Sequence, residues 1–82
     1  MKKMPLEEFR AMLGKRIKER RIELGLTQPQ LAVRLGSKDK QTINRYEKEG
    51  ANPTIFNLIQ IADALELKVD ELLNFLPEKS NQ

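Results

Sequence analysis

The chain has 82 residues, of which 33% are charged and 39% hydrophobic, with a net charge of +3 and neither cysteine nor histidine. A chain of this length forms one small domain that buries about 60–65% of its unfolded surface. The absence of cysteine and histidine excludes disulfides, zinc sites of the usual ligand set and histidine-based acid–base catalysis. There is also no glycine-rich phosphate loop and no GxSxG motif, so we expect neither an enzyme nor a bound cofactor or metal.

The distribution of apolar residues does not predict a targeting or membrane segment. The start, MKKMPLEEF, is basic and then acidic without an apolar run, which is not the pattern of a signal peptide. The longest apolar stretch, LIQIADAL, is too short to cross a membrane. We therefore expect a cytoplasmic protein.

Charge is unevenly distributed along the chain. Residues 1–50 hold 13 Lys/Arg and 7 Asp/Glu, a net +6, whereas residues 51–82 hold 2 and 5, a net −3. The basic first part of the chain and its acidic last part indicate that one surface binds an anionic partner.

The first predicted element is a helix from about Pro5 to Leu24. Its apolar residues fall at helical spacings on one stripe: Leu6, Phe9, Leu13, Ile17 and Leu24. Gly25 suits the position just after the end of a helix. Because glycine is a weak helix former, Gly14 predicts a bend or fraying in the first turns.

The second predicted helix is short. Thr27 is its N-cap, Gln30 completes a capping box, and Pro29 falls in the first turn, where its missing N–H is not needed. Its apolar residues are Leu31, Ala32 and Leu35, and Gly36 ends it.

The third predicted helix runs from Lys40 to about Lys48, with Asp39 as its cap. Ile43 and Tyr46 form its inner face, and the other side chains are mostly polar or charged. The sequence Gly-Ala-Asn-Pro at residues 50–53 then predicts a break between the third and fourth helices.

Two further helices complete the chain. The fourth begins after the cap Thr54, and the prediction places these residues on its inner face: Ile55, Leu58, Ile59, Ala62 and Leu65. The fifth runs from about Val69 to Phe75. Lys68 precedes it, at the cap position where Ser or Thr is typical, so the start of this helix is expected to be weak. Residues 77–82 have the composition of a disordered tail.

Several motifs occur together in the order that one family shows. They are Gly25-Leu26-Thr27-Gln28 followed by Leu31-Ala32, Tyr46-Glu47, Asn52-Pro53, and Ala62-Asp63-Ala64-Leu65 ahead of Asp70-Glu71-Leu72-Leu73. On these residues the chain resembles the Cro/phage-repressor (XRE) helix-turn-helix family from Leu13 to Leu73, about three-quarters of its length. The resemblance implies an all-α, compact five-helix domain of the lambda-repressor type, with helices 2 and 3 as the helix-turn-helix.

The resemblance also implies domain boundaries and a function. Residues 1–12 extend helix 1, residues 13–76 form the DNA-binding domain, and residues 77–82 are the tail. The expected function is a sequence-specific, repressor-like transcriptional regulator that binds a palindromic operator in double-stranded DNA as a homodimer. The alternative is a protein-interaction module of the same fold, such as an antitoxin whose partner is a toxin.

Site residues carried over from the family lie on and around helix 3. Those expected at base edges are Lys40, Gln41, Thr42, Asn44 and Arg45, whose side chains match base-edge donors, acceptors and methyl groups. Those expected at phosphates are Gln28, Arg21, Lys38, Lys48 and Asn52. Arg21 and Glu47 also occupy the positions of a family ion pair, which we expect to be partly buried and bidentate.

One departure from the family affects the turn between helices 2 and 3. Six residues, SKDKQT, separate Gly36 from Ile43, where family members commonly have five. Lys38 also falls where an aliphatic residue usually precedes the cap of helix 3, so the hydrophobic staple is missing. A wider turn is therefore expected, which could shift the base contacts by one residue.

Overall fold

A computed structural model of the protein describes residues 4–36, 39–50 and 54–76, and helices are the only regular secondary structure in these ranges. The helices are α1 (Leu6–Glu23), α2 (Gln28–Arg34), α3 (Lys40–Glu49), α4 (Ile55–Ala64) and α5 (Val69–Leu72). The predicted all-α five-helix class is therefore confirmed. Within the same ranges no helix is long and apolar enough to span a bilayer. The predicted tail, residues 77–82, lies outside the described residues.

Capping bonds explain where the later helices begin. The Thr54 hydroxyl accepts a hydrogen bond from the Asn57 N–H at 3.1 Å, which makes Thr54 the N-cap of α4 as predicted. At α5, the Glu71 carboxylate accepts from the Lys68 N–H at 2.8 Å. Lys68 makes no side-chain capping bond, as expected, but Glu71 supplies the backward half of a capping box.

One apolar core joins all five helices. The buried residues are Leu13, Ile17, Leu31, Ala32, Ile43, Ile61, Ala62, Ala64, Leu65 and Leu72. Partly buried residues surround them, among them Phe9, whose ring lies 5.7 Å from that of Phe75 and tilted to it. This pair brings the start of α1 against the end of the described chain.

Two glycines allow α3 to lie directly against α1. A Cβ atom on Gly14 would lie 2.6 Å from the Glu47 carbonyl oxygen and 2.7 Å from that of Tyr46. Gly50, which ends α3 with φ of 62°, leaves no room for a Cβ beside the Arg10 backbone. The predicted fraying at Gly14 was wrong, because α1 is continuous there and the glycine serves close helix packing.

The inner face of α4 differs from the predicted one. Ile55 and Ile59 are exposed, at 75% and 50%, whereas Ile61 is completely buried. Seven of the ten residues in IFNLIQIADA are apolar, so periodicity alone did not distinguish the inner side of this helix. The consequence is an apolar outer face on α4, to which Phe56 also belongs at 69% exposure.

Arginines from α1 and α2 hold the C-terminal end of α4. Arg20 Nε donates to the Leu65 carbonyl at 2.9 Å, and Arg34 Nη1 donates to the Ala64 carbonyl at 2.9 Å. Arg34 also pairs with Glu66, which ends the helix with φ of 60°. Cations stabilise the carbonyl end of a helix, where hydrogen bonds within the helix are missing.

Replacing Gly14 by alanine tests the close approach of α1 and α3. In an exposed helix this change would stabilise by about 1 kcal/mol. Here we expect it to lower the free energy of unfolding by about 1–3 kcal/mol, because a methyl group would overlap the backbone of α3. Thermal unfolding followed by circular dichroism measures the effect, with Lys15→Ala on an exposed position of α1 as control. A raised melting temperature for Gly14→Ala would contradict the packing argument.

Candidate nucleic-acid interface

The first turns of α2 and α3 are held by their capping residues. Thr27 Oγ1 accepts from the Gln30 N–H at 3.2 Å, and Gln30 Oε1 accepts from the Thr27 N–H at 2.8 Å, which is the predicted capping box. At α3, an Asp39 carboxylate oxygen accepts from the Gln41 N–H at 2.8 Å. Each bond satisfies an N–H that the first turn of a helix leaves unpaired. The caps therefore set the residues at which both helices begin.

Helix α3 has an inner and an outer side. Ile43 is completely buried, and Tyr46 is partly buried with its hydroxyl accepting from Asn57 Nδ2 at 3.3 Å. Five predicted residues lie on the outer side of α3: Lys40, Gln41, Arg45 and Lys48 are exposed, and Asn44 is half-buried. Because successive helical residues turn by about 100°, Thr42 falls on the flank next to Tyr46 rather than among these five.

A partly buried ion pair joins α1 to α3. Arg21 Nε donates to Glu47 Oε2 at 2.6 Å and Arg21 Nη2 donates to Glu47 Oε1 at 3.3 Å, which makes the contact bidentate. Arg21 Nη1 donates to the Leu26 carbonyl at 2.7 Å. The two charged side chains are only 12% and 4% exposed. The contact therefore lies largely out of water, where both charges depend on each other.

Gln28 extends this contact to α2. Its amide nitrogen, Nε2, donates to Glu47 Oε1 at 3.1 Å and lies 3.5 Å from Asn44 Oδ1. One carboxylate on α3 therefore receives hydrogen bonds from α1 and from α2. These contacts fix the position of α2 against α3 through side chains as well as through the core.

The residues predicted at phosphates occupy different environments. Lys48 is exposed on the outer side of α3, and Gln28 is half-buried at the first residue of α2. All three nitrogens of the Arg21 guanidinium donate within the protein. Lys38 and Asn52 lie outside the described residues, as does part of the unusually long turn before α3.

Sequence reasoning did not find two contacts near this surface. The first is the one between Gln28 and Asn44, which join α2 and α3 across 16 positions of the chain. The second is the pair of hydrogen bonds that Arg34 donates at the end of α4, to the Ala64 carbonyl and to Glu66. The partners in each contact are far apart in sequence, and neither Gln28 nor Arg34 is distinguished by its residue type.

A short capped helix, followed by a helix whose outer side is polar and whose inner side is fixed to the core, has the arrangement of a helix-turn-helix unit. The helix-turn-helix family model matches residues 17–72. The chain belongs to this family and to its Cro/phage-repressor (XRE) type, which confirms the resemblance seen in the sequence.

Relatives of known role support the same class. The chain is 35% identical over 70 residues to the cryptic phage CTXphi transcriptional repressor RstR of Vibrio cholerae, an alignment that covers 85% of this chain and 62% of that protein. The chain thus spans less than two-thirds of the length of that relative.

Two solved structures are also similar to the chain. One is the restriction-modification controller protein C.AhdI from Aeromonas hydrophila, with a TM-score of 0.68, 31% identity, and coverage of 76% of this chain and 92% of that one. The other is the hypothetical transcription factor NHTF from Neisseria, with a TM-score of 0.72, 28% identity, and coverage of 96% and 88%. The fold is therefore one that transcription regulators use.

Removing the Glu47 carboxylate tests its role in joining three helices. We expect Glu47→Ala to lower the free energy of unfolding by about 3 kcal/mol, because Arg21 would remain largely buried without its counter-charge. Urea unfolding measures this change, and Glu49→Ala, at an exposed position of the same helix, is the matched control. Equal stability of the two variants would show that the ion pair contributes no more than a surface contact.

Proposed function

We propose that this protein is a sequence-specific repressor that binds a palindromic operator as a dimer, with α3 in the major groove. The observation that carries the proposal is the outer side of α3, where exposed polar side chains stand on a helix whose inner side is anchored in the core. A major groove about 12 Å wide accepts one such helix. Cytoplasmic location belongs to the same proposal, since the target is DNA.

The chemistry of the outer side fits base edges. The Lys40 ammonium can donate to guanine O6 and N7, and the Gln41 amide can pair with adenine N6 and N7. Arg45 offers a planar set of donors that suits guanine or a phosphate. Thr42 stays a candidate for a thymine methyl at the edge of this surface. We assign direct readout to these residues together with Asn44.

The charge distribution supports phosphate binding on the same side. The first 50 residues carry 13 Lys/Arg against 7 Asp/Glu, and α2 and α3 lie within them. Lys48 is exposed on the outer side of α3 and is assigned to a phosphate. Lys38 and Asn52 keep this role as predictions. Arg21 uses three of its five N–H groups on Glu47 and Leu26, which gives it a positioning role, and its other two N–H groups keep the predicted phosphate contact.

The outer face of α4 supports a dimer. Ile55, Phe56 and Ile59 are exposed there at 75%, 69% and 50%. Their exposed parts amount to about 400 Å², roughly half of the ~800 Å² per partner of a standard interface, and polar neighbours can supply the rest. Such an apolar strip on an 82-residue chain favours packing against a second copy of the chain, because a small domain gains stability from extra apolar burial.

Charge and position also favour a second copy on this face. Asp63 is the only charged residue within α4, whereas 33% of the whole chain is charged, so two such faces can meet with little like-charge repulsion. The hydrogen bond between Asn57 and Tyr46 places the first turn of α4 beside α3. A two-fold contact along α4 would therefore keep both α3 helices near the interface, as adjacent half-sites about 34 Å apart require.

Selection from a random pool of DNA duplexes tests the function. We expect a two-fold consensus, with affinity falling on the order of 10³-fold between 50 and 200 mM salt if about six phosphates are contacted. Lys40→Ala should relax the base preference at one base pair. Lys48→Ala should weaken binding to all DNA sequences alike and reduce the salt dependence of binding.

The control for these variants is Lys68→Ala, which removes an exposed lysine outside the proposed surface and should leave binding unchanged. A protein that prefers no DNA sequence but forms a stable complex with another protein would contradict the proposal. That result would favour the antitoxin-like alternative.

Sedimentation over a wide concentration range tests the dimer. We expect Phe56→Glu to shift the protein towards monomer, because the two-fold contact would bring two carboxylates into an apolar surface. Val33→Glu is the matched control, since Val33 is 71% exposed on α2 and outside the α4 face. A wild-type protein that stays monomeric both free and on its operator would overturn the dimer, as would a Phe56→Glu variant that dimerises normally.

A further inference from the structure

We propose that hydrogen bonds from Glu47 through Gln28 determine which end of the Asn44 amide faces the DNA. Asn44 then presents only N–H donors to the groove, and we infer that it selects guanine. This inference rests on the proposed function, because it assumes that α3 enters the major groove. It adds a specificity rule and gives Gln28 the role of a positioning residue.

The direction of the chain of hydrogen bonds is set at Glu47. An ionised carboxylate only accepts hydrogen bonds, and Arg21 holds this one in place through two of its nitrogens, at 2.6 and 3.3 Å. The Glu47 side chain is only 4% exposed, so water has little access to it. A neighbouring amide must therefore turn its N–H₂ group towards Glu47.

Gln28 is that neighbouring amide. Its nitrogen lies 3.1 Å from Glu47 Oε1, and the opposite orientation would place two oxygen acceptors against each other. The same nitrogen has a second hydrogen, and Asn44 Oδ1 lies 3.5 Å from it, at the outer limit for a hydrogen bond. With both hydrogens directed within the protein, the Gln28 side chain keeps no N–H for a phosphate.

The orientation of Asn44 follows from that of Gln28. An Asn44 N–H₂ group turned towards the Gln28 nitrogen would place donor against donor, so the Asn44 oxygen faces inwards and its nitrogen faces outwards. Asn44 is half-buried and lies on the outer side of α3 between Lys40 and Lys48. The group that it presents to the DNA is thus a pair of N–H donors.

A donor-only amide discriminates among bases. The usual contact of asparagine with adenine uses the amide oxygen and nitrogen together, on N6 and N7. With its oxygen turned inwards to Gln28 and its nitrogen outwards, Asn44 is not oriented for that contact. Guanine offers two adjacent acceptors, N7 and O6, and is the base that two outward N–H groups fit best.

The test is selection from a random DNA pool with wild-type protein and three variants. Asn44→Ala identifies the base pair that Asn44 reads, and we expect guanine there in the wild-type consensus. Asn44→Asp offers an acceptor in place of the donor, so the preference should move to cytosine through its N4 amino group. Gln28→Met releases the Asn44 amide, and adenine should then be accepted at that position alone. Gln41→Ala, on the same side of α3, should alter a different position.

A second measurement changes the DNA instead of Gln28. Replacing the selected guanine by 7-deazaguanine removes its N7 acceptor, and wild-type binding should weaken roughly tenfold. The Asn44→Ala protein should bind the 7-deazaguanine duplex almost as well as it binds the unmodified duplex. Thermal unfolding of each variant separates a loss of folding from a change in base preference.

The outcomes distinguish this inference from the proposed function. If the wild type enriches no sequence, the proposed function fails and the inference fails with it. If the wild type enriches a two-fold consensus in which the Asn44-dependent base is adenine, or in which no base depends on Asn44, only the inference is overturned. An unchanged preference for guanine in Gln28→Met would likewise overturn it.

Discussion

The carboxylate of Glu47 is the group on which the arrangement of the first three helices depends. An ionised carboxylate that is 4% exposed costs several kcal/mol unless a positive charge and hydrogen bonds compensate it. The compensation comes from Arg21 on α1 and Gln28 on α2, so both helices must be in place before α3 is stable. The backbone of the same residue passes Gly14, where a side chain would prevent the approach. Side chain and main chain of one residue thus hold α3 against α1.

Features that depend on neighbours in the chain were predictable from the sequence. The caps Thr27, Asp39 and Thr54 bond to N–H groups two or three residues ahead, so their patterns are visible locally. The face that α4 buries was not predictable, because its apolar residues surround most of the helix and only contacts with the rest of the core select the inner side. Gly14 was misread for the same reason, since its role lies in a contact with a helix more than 30 positions away.

The outer side of α3 was predictable from the sequence, but the orientation of the Asn44 amide on it was not. The spacing of Ile43 and Tyr46 indicates which side of α3 faces the core, and therefore which side faces out. Whether Asn44 presents oxygen or nitrogen depends on Gln28, which lies 16 positions earlier on another helix. A residue type shows what a side chain can do at a base edge, whereas a tertiary contact decides which of its groups is available.

This difference separates the residues of α3 into two kinds. Lys40, Gln41 and Arg45 are exposed, and their side chains make no hydrogen bond or ion pair to another helix in the described part of the chain, so changes there would alter base readout with little effect on folding. Asn44 is different, because its partner Gln28 is also bonded to the carboxylate that joins the helices. A new preference at Asn44 therefore has to remain compatible with Gln28 and Glu47. Base specificity and the stability of the domain are coupled at this one position, and they are separable at the exposed ones.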